Sequence, residues 1–236
     1  MKQENQRRDF LKSTVVLSTV AAASGLIYLS CGKPKEEKDE KNDEKEVSPP
    51  EDLMQEHGLL NRVLLIYDYC KAKMISKESF PLEALSDSAQ FIRTFVEDYH
   101  EKQEENYLFP RFQKANQLTD LVDVLLKQHL AGRQITEQII QLTKPSSRSD
   151  SENEKLVNLL ASFNTMYRPH EAREDTVLFP AFRKLVSKHE YDSLGEEFES
   201  NEHKLFGEDG FETMVNRVTE IEKKLGLYDL VQFTPH

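Results

Sequence analysis

His100 and Glu104 stand four residues apart, and so do His170 and Glu174. On an α-helix, residues four apart differ by about 40° in direction and about 6 Å in height, so each pair points the same way from adjacent turns. One imidazole nitrogen and one carboxylate on a rigid helix can together grip a divalent ion. Two such helices face to face let their carboxylates bridge two ions. A single histidine from each of two further helices, His57 and His129, then completes each ion's set. Imidazole with carboxylate suits Fe, Mn or Zn.

Each of the four histidines lies inside an apolar stripe: His57 between Leu53 and Leu60, His100 after Val96, His129 after Leu125 and His170 after Met166. Glu104 and Glu174 continue the same inward lines. Buried carboxylates without partners are costly or take up protons, and cations held between them remove that penalty. Salt bridges would do so too, but Lys and Arg are scarce on these lines. Any one histidine on an apolar face is ordinarily a hydrogen-bonded core residue, and a lone His-x-x-x-Glu recurs by chance. Four inward histidines, one per helix, with two glutamates at one offset on alternate helices, form a pattern of a different order.

The elements that must position these residues read as helices. The first runs from about Glu51 to Met74, with Leu53, His57, Leu60, Leu64 and Tyr67 at steps of three and four. The second starts near Pro81, suited to a first helical turn, and runs towards Pro110. The third covers roughly Leu118 to Leu142. After a polar loop from Lys144 to Asp150, the fourth runs from about Glu152 to Pro180. Long helices joined by short loops predict an all-α, up-down-up-down four-helix bundle over residues 51–182. Two short additional C-terminal helices, around 190–205 and 211–224, form an extension over 183–236 that packs outside the bundle or caps one end. The stretch from Tyr99-His100-Glu101 to Leu108-Phe109-Pro110 is echoed from Pro169-His170-Glu171 to Leu178-Phe179-Pro180, so the chain reads as two helical hairpins with one donor pattern each.

With these paired His-Glu-x-x-Glu and Leu-Phe-Pro elements, residues 50–182 resemble the hemerythrin-like family with its His-His-Glu cation-binding domain. The resemblance implies a non-haem di-iron centre with His57, His100, Glu104, His129, His170 and Glu174 at ligand positions. Iron is what the resemblance adds; Mn and Zn stay open on ligand type. The family's oxygen carriers have a further histidine four residues after the third-helix one, where this chain has Arg133, one imidazole fewer than reversible oxygen carriage uses. Their last motif places the carboxylate five residues after the histidine. Asp175 occupies that place here and competes with Glu174, which the internal repeat pairs with Glu104. Glu101 and Glu171 lie about 100° around the helix from the donor histidines and are expected on solvated faces.

The N-terminus reads as an address. Arg7-Arg8-Asp9-Phe10-Leu11-Lys12 resembles the twin-arginine motif of bacterial export signals, and an apolar run from Val15 to Leu29 follows, shorter than the roughly 20 residues of a membrane span. A permanent anchor helix is the alternative. Leu29-Ser30-Cys31-Gly32 resembles a lipoprotein cleavage box with Cys31 acylated, although Tyr28 departs from the aliphatic residue expected there; simple cleavage after a small residue is the alternative. Residues 1–31 are thus expected to be removed or anchored and the protein exported, periplasmic or membrane-held. Residues 32–50, rich in Lys, Glu, Asp and Asn, are expected to form a disordered charged tether.

The net charge of −11 excludes a concentrated basic surface and with it a nucleic-acid partner. Membrane contact is expected only through the N-terminal signal or lipid. Two cysteines cannot build a disulfide framework, and Cys70 reads as a small apolar core residue. His189, His203 and His236 lie beyond the bundle; Glu199 with His203 reads as a surface ion pair. The first functional expectation is a protein that binds or senses oxygen, nitric oxide, peroxide or a related small ligand, or handles iron. A di-iron enzyme that reduces peroxide or oxidises ferrous iron is the second, and a metal-free helical adaptor the third.

Overall fold

A computed structural model describes residues 48–144 and 148–235, and all of their regular structure is helical. The stretch expected to act as an export signal, Cys31 and nearly all of the expected charged tether fall outside the described residues. None of the described helices is long and apolar enough to cross a membrane.

Helix α1 spans Pro49–Ile75, starting two residues before the position its periodicity predicts. The backbone N–H and hydroxyl of Ser48 both donate to Glu51, and the two prolines fill first-turn positions where no N–H is needed. Helix α2 occupies residues 82–115 as one rod of alternating winding: α-helical Leu82–Phe91, π-helical Ile92–His100, α-helical Glu101–Gln103, π-helical Glu104–Leu108 and α-helical Phe109–Ala115. Asn116, in the left-handed region at φ 52°, ends it. Helix α3 spans Thr119–Thr143. Helix α4 occupies residues 150–185: α-helical Asp150–Arg173, π-helical Glu174–Leu178 and α-helical Phe179–Leu185. Ser149 and Glu152 cap its start reciprocally. Helices α5, Lys188–Phe206, and α6, Gly210–Leu225, follow.

Helix α1 packs on α2 and α4, and α3 packs on the same two helices from the other side, which makes a helical bundle. Helix α5 lies against α1, and α6 against α1 and the first part of α2. The C-terminal helices therefore line the bundle's flank. Met214, Val218, Ile221 and Leu225 of α6 join one buried apolar cluster, and Leu194 and Phe198 of α5 join another.

Those two clusters explain where the polar residues sit. The larger runs from Leu59 and Leu60 through Phe95, Val96 and Ile139 to Phe163 and Tyr167. The smaller gathers Leu53, Leu125 and both Leu-Phe-Pro segments, Leu108, Phe109 and Phe112 with Leu178, Phe179 and Phe182. On every long helix the donor histidine falls between a residue of one cluster and a residue of the other. Each fully buried Phe or Leu stabilises the fold by about 1.5–3 kcal/mol, so two apolar layers clamp a polar one between them.

Candidate metal centre

His57 on α1, His100 on α2, His129 on α3 and His170 on α4 are all buried, and Glu104 and Glu174 are 0% exposed. The structure brings all six together. Glu104, His129, His170 and Glu174 hold four potential ligand atoms within 4.8 Å of one another, and His57, His100 and Glu104 hold three. Glu104 belongs to both groups. Its Oε2 lies 3.4 Å from His129 Nε2 and 3.9 Å from His100 Nε2; Glu174 Oε2 lies 3.2 Å from His170 Nε2 and 3.5 Å from His57 Nε2. Each carboxylate thus touches one imidazole from each half of the centre.

Winding aims these carboxylates. Pro110 and Pro180 lack an N–H, and a proline ring in a regular helix collides with the carbonyl four residues back. Just ahead of each proline the helix widens: Phe109 N–H donates to the Glu104 carbonyl and Phe179 N–H to the Glu174 carbonyl, each five residues back. Glu104 and Glu174 each open a five-residue π-helical stretch, a feature that recurs at functional sites. The Leu-Phe-Pro segments neither end nor break their helices, which run on to Ala115 and Leu185. Helix α4 likewise continues through Pro169.

Every imidazole is oriented from outside. Nδ1 of His57 lies 2.8 Å from Asp175 Oδ1, that of His100 2.7 Å from Glu56 Oε2, that of His129 3.1 Å from Glu105 Oε1, and that of His170 2.9 Å from Gln128 Oε1. Carboxylate and amide oxygens accept, so Nδ1 donates in all four and Nε2 faces the interior. The four contacts run in a ring: α4 orients the α1 histidine, α1 the α2 histidine, α2 the α3 histidine, and α3 the α4 histidine. Phe179 and Phe109 stack on His57 and His129 at 5.6 and 5.5 Å. Asp175 therefore sits on the outer nitrogen of His57, while Glu174 points inward.

The interior is electrostatically unbalanced. None of the four oxygens of Glu104 and Glu174 has a hydrogen-bond partner, and no Lys or Arg among the described residues forms an ion pair with either. Burial and the neighbouring Glu174 carboxylate push Glu104 well above the usual carboxylate range. Burial acts upward on Glu174 too, but His170 and His57 hold it low. Burial lowers His129 to about 4 and keeps His100 well below its ordinary value. This donor set fits multivalent cations, whose charge would offset the two buried carboxylates.

Glu101 and Glu171 do not face solvent. They are 1% and 3% exposed, because a residue about 100° from an inward histidine falls against the neighbouring helix. Arg133 Nη2 lies 2.7 Å from Glu101 Oε2 and 2.6 Å from Glu105 Oε1, and the Tyr167 hydroxyl donates to Glu101 Oε1 at 2.7 Å. Gly132 makes room for that hydroxyl: a Cβ there would stand 2.1 Å from it. Across the bundle, the Asn61 amide donates to Glu171 Oε2, and Glu171 Oε1 has no partner. Burial pushes both acids up to about 8. The repeat contained a signal for these outer residues. Glu56-His57 matches Gln128-His129, and Glu104-Glu105 matches Glu174-Asp175, so each donor has a polar neighbour at an equivalent place.

Cys70 is a buried core residue, and neither His189 nor His203 joins a group of donors close enough to share an ion. His236 lies outside the described residues.

Residues 48–182 match the family described as the hemerythrin HHE cation binding domain. Over 228 residues the chain is 44% identical to an uncharacterized protein of Mycobacterium bovis and to uncharacterized proteins of two strains of Mycobacterium tuberculosis; the alignments cover 93% of this chain and 89% of each relative. No solved structure matches it. The matched stretch takes up more than half of the sequence and passes through all four long helices, so the chain belongs to the family of hemerythrin HHE cation-binding domains.

Proposed function

We propose that this protein holds two non-haem iron ions inside an up-down-up-down four-helix bundle and uses them to bind or sense a small diatomic or peroxide ligand, or to handle iron, outside the cytoplasm. His57, His100, Glu104, His129, His170 and Glu174 hold the ions, and Asp175 serves as the orienting partner of His57. The observation that carries this reading is the four stranded oxygens of Glu104 and Glu174 amid four Nε2 atoms. A pair of bound iron ions supplies electrons and an exchangeable coordination position.

The chain's own residues supply the rest. Glu56, Glu105, Gln128 and Asp175 fix the imidazole orientations, so that the four Nε2 atoms face the interior without ring reorientation. The two apolar clusters exclude water from the polar layer. Export rests on the Arg7-Arg8 motif and the apolar run after it, and Cys31 is the lipidation position; a metalloprotein folded before export accords with that route.

The test is optical. Anaerobic protein is titrated with ferrous iron, then exposed to oxygen, nitric oxide or peroxide. A charge-transfer band that reverses when the ligand is removed supports a binding or sensing role. Multiple turnovers of peroxide without a reversible band would replace that role with catalysis, and the absence of any iron-dependent spectrum contradicts the centre itself.

A further inference from the structure

The internal repeat makes the two halves of the centre nearly equivalent in their inner donors, yet it breaks in the surrounding charge. Position 61, four residues after His57, is Asn; position 133, four residues after His129, is Arg. Each reaches the glutamate that follows a donor histidine. Arg133 lies across both Glu101 and Glu105, and Lys102 adds a second cation to Glu105. Asn61 gives Glu171 only an amide. Glu171 and Asp175 have no Lys or Arg at ion-pair distance among the described residues, and one buried oxygen of Glu171 has no partner at all. The orienting residues repeat the contrast: His100 is held by the acid Glu56, whereas its counterpart His170 is held by the neutral amide of Gln128.

A guanidinium stays charged throughout the working pH range. Its field therefore opposes a cation held by the adjoining His129, whose Nδ1 partner Glu105 it also engages. Asp175, the Nδ1 partner of His57, has no such charge at ion-pair distance among the described residues.

We infer that the two ion positions are unequal, and that the one between His57 and His100 takes up the first divalent ion and holds it more tightly than the one between His129 and His170. The inference rests on the reading of this cluster as a two-ion site. It concerns the outer residues, and Arg133 and Gln128 act as positioning and charge-setting residues that touch no ion.

The experiment is calorimetric titration of the metal-stripped full-length chain with Mn2+, which needs no oxidant. Two steps separated by at least tenfold in affinity are expected, in the range over which outer partners act on a metal site. Arg133→Gln should tighten the weaker step about tenfold and leave the tighter one within about threefold. Gln128→Glu, a nearly isosteric change that leaves the Arg133 network intact, should tighten the same step, which covers the case of an unstable Arg133 variant. His57→Ala should remove the tighter step and His129→Ala the weaker one. Two equal steps in the parent chain overturn the inference while leaving a two-ion centre in place. So does a gap unchanged in both Arg133→Gln and Gln128→Glu, or loss of the weaker step in His57→Ala. A chain that binds no ion overturns the two-ion reading and this inference with it.

Discussion

Replacing Gly132 by alanine would set a methyl carbon 2.1 Å from the Tyr167 hydroxyl oxygen and 2.9 Å from its Cζ. Real Cβ atoms do not approach that closely, so the tyrosine ring must shift within a core where Phe163 stacks on it at 4.3 Å. Overpacking of this kind costs about 1–3 kcal/mol. The shift also pulls the hydroxyl from Glu101, whose carboxyl burial keeps largely protonated, and a hydrogen bond between neutral groups contributes about 0.5–1.5 kcal/mol. Alanine's better helix propensity returns about 1 kcal/mol. The net loss is about 0.5–3.5 kcal/mol, or a fall in Tm on the order of 5 °C for a domain of this size. Thermal unfolding of the metal-stripped protein measures it. A Tyr167→Phe background removes the colliding oxygen, so Gly132→Ala should cost at least about 1 kcal/mol less there. Equal costs in the two backgrounds, or a Gly132→Ala protein as stable as its parent, would refute the close approach.

Burial acts to lower His57, but Asp175 and Glu174 override it and raise the metal-free imidazole to about 10. Because this lies above the ordinary 6.5, the stability it gives the metal-free fold is complete below about pH 6.5 and is lost as the pH rises through about 10; His57→Gln should flatten that part of the pH–stability curve. The same proton must leave when an ion binds at neutral pH, so binding heats should vary with the ionisation enthalpy of the buffer, and no variation would count against the assignment of His57. Burial pushes Cys70 up to about 12, so in a Cys31→Ser background a maleimide at about pH 7.5 should leave native protein unlabelled and modify one thiol after denaturation; rapid native labelling would place Cys70 outside the core.

The convergence of His57, His100, Glu104, His129, His170 and Glu174 was legible in the sequence because helical periodicity and the internal repeat both point at them. Six residues at steps of four, each continuing an apolar stripe, could face only one way. The outer residues were not. Whether Glu101 meets water or Arg133 depends on how closely α3 and α4 approach α2, and a helical wheel holds no neighbours. The wheel also assumes one winding throughout, whereas α2 alternates between α and π turns on both sides of His100. The prolines that accompany the wider turns were visible as Pro110 and Pro180, but a proline alone does not say whether a helix stops, bends or widens. Asp175 against Glu174 is a choice of this kind. Adjacent residues compete for one inward direction, and only packing shows that Glu174 faces the interior while Asp175 reaches the outer nitrogen of His57.

Elemental analysis of the chain, loaded with ferrous iron under anaerobic conditions and desalted, reads the central claim most directly. Two ions per chain are predicted for the parent protein. Fewer than one is predicted when Glu104 and Glu174 are both changed to Gln, with the helical circular dichroism retained. Two ions still held by that double variant, or none held by the parent, would contradict it.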